Sequence, residues 1–138
     1  MKVYSISRRN DRVYNGRVHA EVCLNTKSKY DDYALKHIVL HSPDGFEYGY
    51  GGSGPSDLAL AILADYFNGL YKDFFEANDY LTSEAQEKFL INIVSKYYQK
   101  FKWVFIATRE RDEPFSITEE EIKQWLSVVD APEEVENG

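Results

Sequence analysis

A glycine-rich segment directly before a strongly apolar stretch is the feature that most constrains this fold. Four of the eight glycines in the chain are Gly49, Gly51, Gly52 and Gly54, and Pro55 follows them. Proline fits the first turn of a helix, where a missing backbone N–H costs nothing. Glycine lets a backbone approach other groups closely, and the free N–H groups of a helix N-terminus point back towards the preceding residues. Residues 49–54, the glycine segment, therefore predict either an anion-binding corner or a tight packing corner.

The residues after Pro55 predict a buried central helix over residues 55–67. From Leu58 to Ala64 the sequence leaves almost no polar face, and a helix that is apolar all round belongs in a protein interior. Asp57 falls in the first turn, where a negative charge is favourable at the positive end of the helix dipole.

The rest of the chain predicts strands first and helices later. Strand-like patterns with intervening turns cover residues 2–8, 17–24, 33–41, 46–50 and 101–108. Asn15-Gly16 is typical of a two-residue hairpin turn, and residues 42–45 form a Pro-Asp-Gly turn. Capping boxes at Ser83–Gln86 and Thr118–Glu121 begin two C-terminal helices, the second with Ile117 and Ile122 as a hydrophobic staple.

Strands followed by helices, without strict alternation, are typical of an α+β fold. We therefore expect an antiparallel sheet of four to five strands packed on the buried central helix, with two further C-terminal helices. Residues 1–130 are expected to form one domain. Residues 131–138 are acidic and poor in apolar side chains, so a disordered tail is expected there.

The glycine segment partly matches two nucleotide-binding motifs. Residues 49–54 fit G-x-G-x-x-G, but no strand follows the helix to complete a βαβ unit of ~30 residues. Residues 49–56 nearly fit the phosphate-binding loop G-x-x-x-x-G-K-[ST], with Pro55 in place of the lysine. Without that cation we do not expect NTP hydrolysis. Binding of a smaller anion by the loop and the helix N-terminus stays open, and so does a purely structural role.

The predicted hairpin over residues 37–50 gathers histidine and aromatic side chains on one face. Cross-strand pairing through a four-residue loop gives this His/Tyr face the members His37, Val39, His41, Phe46, Tyr48 and Tyr50. Ile38 and Leu40 then point towards the buried helix, which makes Leu40 a core residue. The His/Tyr face is either an outward recognition surface or an aromatic ladder that stiffens the sheet.

Lys102 is the candidate cation for an anion at the glycine segment. It alternates with Phe101 and Trp103 on a predicted strand, and it reaches the segment if that strand lies beside the hairpin. The alternative is a surface lysine that snorkels to solvent. The complete set of candidate ligand-binding residues is Tyr48, Tyr50, Gly51, Gly52, Ser53, Gly54, Ser56, His37, His41 and Lys102.

The pattern predicts no metal site, no cofactor and no catalytic set. His37 and His41 would lie ~13 Å apart on a strand, too far to share one ion. Ser53 is not part of a G-x-S-x-G elbow, and Ser56 is expected to help cap the helix. Binding is therefore preferred to enzymatic activity.

Charge and cysteine content restrict the partners and the compartment. A formal net charge of −7 disfavours direct binding to nucleic acid, which needs a basic surface; it fits either simple solubility or an acidic mimic of nucleic acid. A single cysteine, Cys23, excludes an internal disulfide and indicates a reducing compartment. With no apolar leader or long apolar run, we expect no membrane association and a cytoplasmic location, in the host cytoplasm if a phage encodes the protein.

Several segments resemble domain-of-unknown-function family 6166. The matching blocks are His41–Glu47, Gly49–Pro55, Leu58–Leu60, Phe101–Trp103 and Ile117–Leu126. Tyr48 departs from the family pattern, where a tryptophan is expected, and residues 69–98 are longer than in typical members. The resemblance implies a small bacterial or bacteriophage protein and carries no activity with it.

Two functions follow as hypotheses. The first is non-catalytic binding of a small anionic or nucleotide-like ligand at the glycine segment and helix N-terminus, with sequestration of a host signalling nucleotide as its boldest form. The second is inhibition of a host protein through an acidic, tyrosine-rich surface that imitates nucleic acid.

Overall fold

The computed structural model describes residues 1–24 and 28–130 and confirms the predicted α+β class. One antiparallel sheet has the order β3-β2-β1-β4. Its strands are β1 (Val3–Arg9), β2 (Arg17–Cys23), β3 (Tyr33–Ala34) and β4 (Phe115–Thr118). β1 and β2 are the two interior strands. In β1, Val3 lies opposite Cys23 of β2 and opposite Thr118 of β4.

Five α-helices accompany the sheet in the described residues, more than the predicted central helix and two others. They are α1 (Ser53–Leu70), α2 (Lys72–Ala77), α3 (Ser83–Val94), α4 (Tyr98–Phe101) and α5 (Glu119–Val129). A short 3₁₀ helix spans Lys29–Asp31, and α4 continues directly into a π-helical segment, Lys102–Ile106.

The predicted buried central helix is α1. Leu58, Leu60, Ile62 and Leu63 of this helix are fully inaccessible. They belong to one core cluster with the inward-facing residues of the sheet, which are Tyr4, Ile6, Val18, Ala20, Val22 and Ile117. The predicted strand over residues 17–24 is confirmed as β2, in which the alternate residues Val18, Ala20 and Val22 are all buried.

The predicted hairpin over residues 37–50 is wrong. Of the predicted strands over residues 33–41 and 46–50, only Tyr33–Ala34 pairs as a strand, and residues 35–50 form neither strand nor helix. The cause is Asp57 of α1, whose carboxylate accepts the backbone N–H groups of residues 40–42. Leu40 is consequently 51% exposed and is not a core residue.

The predicted strand over residues 101–108 is also wrong, since this stretch is helical. Phe101 and Phe105 are four residues apart, and their ring centroids lie 4.6 Å from each other. Both rings also contact Trp125 of α5. Packing of residues i and i+4 on one helix face outweighs the β-propensity of these aromatic and branched side chains.

The turn between β1 and β2 differs from the predicted two-residue hairpin. Asn15 and Gly16 do have positive φ, at 46° and 80°. However, the last strand pair is Arg9 with Arg17, so residues 10–16 all belong to the loop. The Asp11 carboxylate accepts the Tyr14 N–H at 2.8 Å and thereby orders this wider turn.

Of the two predicted capping boxes, the second is confirmed. The Thr118 hydroxyl accepts the Glu121 N–H at 3.1 Å, and the Glu121 carboxylate accepts the Thr118 N–H at 3.2 Å. Ile117 and Ile122 are both fully buried, as a hydrophobic staple requires. The first box is wrong. Thr82, with its extended backbone, caps α3 through the Ala85 N–H, and Ala85 has no side-chain acceptor that could complete a box.

The tail over residues 131–138 lies outside the described residues, so the domain boundary stays a prediction. No helix in the described ranges is long and apolar enough to span a bilayer.

Candidate functional site

The glycine segment leads directly into the N-terminus of α1. Gly52 is the N-cap, with φ −90° and ψ −165°, and no side chain caps the helix. Ser56 closes the first turn, since its N–H and its hydroxyl both donate to the Gly52 carbonyl, at 3.1 and 3.0 Å. Ser56 therefore supports the helix start, although Ser56 itself is not the N-cap.

Two aromatic rings cover the backbone at the centre of the glycine segment. A Cβ atom at Gly51 would lie 2.1 Å from the Trp103 ring, and one at Gly52 would lie 2.3 Å from the Tyr50 ring. Both rings reach solvent, with Tyr50 49% and Trp103 57% exposed. The absence of side chains at Gly51 and Gly52 thus lets two exposed aromatic rings lie against the loop.

The other two glycines fit tightly against neighbouring chain. Gly49 has φ +89°, and a Cβ there would lie 3.0 Å from the Arg109 carbonyl oxygen. A Cβ at Gly54 would lie 2.7 Å from that of Glu47. Glu47 is held by Arg8 in a bidentate pair, and these hydrogen bonds hold the pKa of Glu47 below its ordinary value. Gly49 and Gly54 therefore have the packing role that the sequence left open.

Lys102 lies beside the glycine segment, on the π-helical segment instead of a strand. Its ammonium group donates to the Gly51 carbonyl and to the Ser56 hydroxyl, each at 3.3 Å. It also lies 4.8 Å from the centre of the Trp103 ring. Lys102 is only 6% exposed, so it is a buried cation and not the snorkelling surface lysine of the alternative interpretation.

The Lys102 ammonium has neutral oxygen partners only. The lysines that pair with carboxylates within 4.0 Å are Lys2, Lys36 and Lys88, and in residues 1–24 and 28–130 no carboxylate pairs with Lys102. The N–H groups of Ser53 and Gly54, in the first turn of α1, likewise find no acceptor in those ranges. A buried positive charge and the positive end of a helix dipole therefore lie together, and no carboxylate in those ranges lies within 4.0 Å of the ammonium group.

The role of Asp57 as a buried hydrogen-bond acceptor was not predicted from the sequence. Its side chain is completely buried. Oδ2 accepts from His37 Nε2 at 2.8 Å and from the Ser42 N–H at 3.0 Å, and Oδ1 accepts the His41 N–H at 2.9 Å. The sequence does contain a sign of this role, because Asp57 is an acidic residue in a helix that has no polar face. Such a charge is buried only where hydrogen-bond donors converge on it.

The structure does not assemble the predicted His/Tyr face. His37 turns inward to Asp57, with its ring against Phe46 at 4.6 Å between centroids. His41 Nε2 instead bonds the Tyr98 hydroxyl at 2.8 Å. The two histidines thus have separate anchoring partners. No group of three His, Cys, Asp or Glu side chains in the described chain is placed to hold a metal ion.

Tyr48 also departs from the predicted outward face. It is fully buried, and its hydroxyl has no hydrogen-bond partner. Its ring lies 5.3 Å from the Arg8 guanidinium and 5.0 Å from the Phe115 ring. Burial raises the pKa of the Tyr48 hydroxyl above its ordinary value. Tyr50 is therefore the one tyrosine of the predicted face that is exposed beside the glycine segment.

Comparison with known proteins identifies a family. The sequence profile of a family of unknown function, DUF6166, matches residues 11–128. This match covers well over half of the 138 residues, so the chain belongs to that family and the resemblance drawn from its motifs is confirmed. No curated protein and no solved structure gives a match.

Proposed function

We propose that this member of DUF6166 binds a small anionic, nucleotide-like ligand at the glycine segment, without turnover. The observation that carries the proposal is Lys102, a buried ammonium group with neutral oxygen partners only. Burying an unpaired charge is costly, and the positive end of α1 beside it adds to that cost. An anion bound beside Lys102 would lower the free-energy cost of the buried ammonium group and of the positive helix end.

The same corner carries donors suited to a phosphate or carboxylate. The N–H groups of Ser53 and Gly54 lie in the first turn of α1, the position at which helix N-termini bind anions. Lys102 supplies the point charge that the sequence motif lacks at position 55, from a distant part of the chain. A lysine that comes from elsewhere in the chain, in place of the motif lysine, supports anion binding by a loop that departs from the usual phosphate-binding pattern.

The exposed rings of Tyr50 and Trp103 favour a ligand with a planar group. They flank the Gly51-Gly52 backbone on which the anion would dock. Aromatic side chains stack on nucleobases with little sequence preference. A nucleotide, with a phosphate for Lys102 and a base for one of the rings, matches this combination. Sequestration of a signalling nucleotide of a bacterial host is the finer form of the proposal.

Replacement of Lys102 by methionine is expected to separate binding from folding. In wild type, a nucleotide at 100 times its dissociation constant should add ~2.7 kcal/mol to the free energy of unfolding. In Lys102→Met this gain should vanish, while the ligand-free protein becomes more stable by about 1 kcal/mol, because a buried charge is replaced by an apolar side chain. A thermal-shift screen of linear and cyclic nucleotides, followed by urea denaturation, measures both effects.

Lys100→Met is the matched control, since Lys100 is exposed on the same helical stretch. This control should keep the ligand-induced shift. The proposal fails if no nucleotide shifts the wild-type melting temperature. It also fails if Lys102→Met lowers the stability of the ligand-free protein by more than about 2 kcal/mol, a loss typical of a structural buried group.

A second candidate function, inhibition of a basic protein partner, is favoured by the surface around α2. Leu70, Phe74 and Tyr80 are exposed large apolar residues there. The same stretch contains the acidic residues Asp73, Glu76 and Asp79. Exposed apolar side chains interspersed with acidic residues along the chain fit a basic protein with an apolar surface.

Charge reversal at α2 tests this second candidate. Binding of a basic protein from host lysate should be lost in the Asp73→Lys/Asp79→Lys variant and kept in Glu110→Lys/Glu113→Lys, which changes the same charge elsewhere. Binding of the basic protein to the wild-type chain should also weaken in about 1 M salt, where exposed charges are screened within ~3 Å. Equal capture by both variants, or capture unaffected by salt, would rule out the electrostatic interaction.

A further inference from the structure

A cleft of about 400 Å³ lies directly beside the glycine segment. Tyr50, Ser53 and Gly54 line it, together with Arg17 at the start of β2 and Asp44 of the loop that precedes the segment. Its volume is in the range of small-molecule sites. A ligand whose phosphate docks at the N-terminus of α1 can therefore extend into this cleft.

Arg17 supplies a positive charge to the cleft without an ion-pair partner. Its Nε and one terminal nitrogen donate to the Tyr14 and Val13 carbonyls, at 3.0 and 3.1 Å. No carboxylate in residues 1–24 and 28–130 lies within 4.0 Å of the guanidinium group. The two carbonyls orient Arg17, and its other N–H groups have no acceptor in those ranges.

Asp44 supplies a negative charge to the same cleft. Its carboxylate is exposed and has no hydrogen bond or ion pair to any described residue. Glu47, the other acid that lines the cleft, is already paired with Arg8. Arg17 and Asp44 are therefore the two charged side chains of the cleft that are available to a ligand, and they do not pair with each other.

Such a pair of opposite charges distinguishes guanine from the other nucleobases. Guanine carries two adjacent donors, N1–H and the 2-amino group, beside two adjacent acceptors, O6 and N7; an arginine that donates to O6 and N7 is the commonest specific contact to this base. Adenine would turn its N1 lone pair to a carboxylate and its 6-amino group to an arginine. Cytosine and uracil likewise lack two adjacent donors for a carboxylate.

We propose that the ligand is a guanine nucleotide, an inference that rests on the anion site proposed above. Its phosphate accepts from the Ser53 and Gly54 N–H groups. Its base stacks on the exposed Tyr50 ring, which lines the cleft. Asp44 accepts from N1–H and the 2-amino group, and Arg17 donates to O6 and N7.

Titration of the wild-type chain with three nucleoside monophosphates, followed by NMR, tests recognition of the base. GMP should bind at least about ten-fold more tightly than AMP, because a bidentate contact to a base discriminates by that factor or more. IMP has N1–H, O6 and N7 of guanine but not the 2-amino group. Its affinity should therefore lie between those of GMP and AMP.

Asp44→Asn should exchange the preferred base. An asparagine amide presents one acceptor and one donor group, which match N1–H and the 2-carbonyl group of xanthine. This variant should bind XMP more tightly than GMP, whereas wild type should prefer GMP. Asp73→Asn is the matched control, since it makes the same change on α2, outside the cleft, and it should keep the preference for GMP.

The outcomes separate guanine recognition from the anion site. Equal affinities of wild type for GMP and AMP overturn guanine recognition and leave the anion site in place. An unchanged preference for GMP over XMP in folded Asp44→Asn overturns the contact to Asp44, and guanine recognition with it. Binding of none of the monophosphates overturns both proposals. The comparison of GMP with AMP needs only wild-type protein, so it decides the question even if a variant does not fold.

Discussion

Replacement of Asp57 by alanine is expected to lower the free energy of unfolding by about 3–5 kcal/mol, because several hydrogen-bond donors lose one shared buried acceptor and each unsatisfied group costs about 1–3 kcal/mol. The carboxylate is fully buried and accepts from His37 and from the backbone N–H groups of residues 40–42. Alanine would remove the acceptor of all four donors; the Ser42 N–H is buried and the other three are part-buried, so water would replace the lost hydrogen bonds only in part. The segment after β3 would then lose its attachment to α1.

Urea denaturation of graded variants measures this effect. Asp57→Asn retains one acceptor oxygen and should lose less stability than Asp57→Ala. Asp44→Ala removes an exposed acid from the same loop region and should stay within about 0.5 kcal/mol of wild type, as surface changes do. A loss below about 1 kcal/mol for Asp57→Ala would show that the carboxylate does not organise this segment.

Replacement of Gly49 by alanine has the second-largest expected effect. Gly49 has φ +89°, and its added Cβ would meet backbone atoms of Arg109 and Arg111 at 3.0 and 3.2 Å. The unfavourable conformation alone is worth about 1–3 kcal/mol, and the two backbone contacts add to it. Backbone atoms cannot move aside as the end of a flexible side chain can.

Gly52→Ala is the matched comparison within the glycine segment. Its added Cβ would meet the Tyr50 ring, which is exposed and free to rotate away. We therefore expect a loss of about 1 kcal/mol, the cost of alanine at an N-cap. Chemical denaturation of both variants checks the order. A greater loss for Gly52→Ala than for Gly49→Ala would contradict the described backbone of residue 49.

Local patterns were sufficient for several elements. The apolar run from Leu58 to Ala64 identified α1 as the buried central helix, and Thr118–Glu121 identified the start of α5. In both cases the interactions that define the element lie within a few residues of one another. The sequence alone therefore contained the physical cause, and the α+β class followed from the order of the elements.

The errors occurred where a distant residue decides the local structure. Residues 37–50 have a strand-like pattern, but the Asp57 carboxylate accepts hydrogen bonds from N–H groups that a hairpin would use for strand pairing. Residues 101–108 have β-propensity, but packing of Phe101 and Phe105 on Trp125 favours a helix. Neither contact can be seen in a window of local sequence.

The candidate site was predicted in part. The glycine segment and Lys102 do lie together, and Tyr50 is exposed beside them. The remaining aromatic and histidine residues of the predicted face have other partners, and Tyr48 is in the core. The pattern of residue types indicated which of these residues lie near the glycine segment only in part, because it could not show which side chains are buried.

Amide chemical shifts during titration with a nucleoside monophosphate test the central claim most directly. If the ligand docks at the N-terminus of α1, the Ser53 and Gly54 resonances should move and saturate in wild type. The same resonances should stay in place in folded Lys102→Met protein, which lacks the buried charge. Absence of any shift at Ser53 and Gly54 in wild type, or identical shifts in the two proteins, would contradict an anion site at the glycine segment.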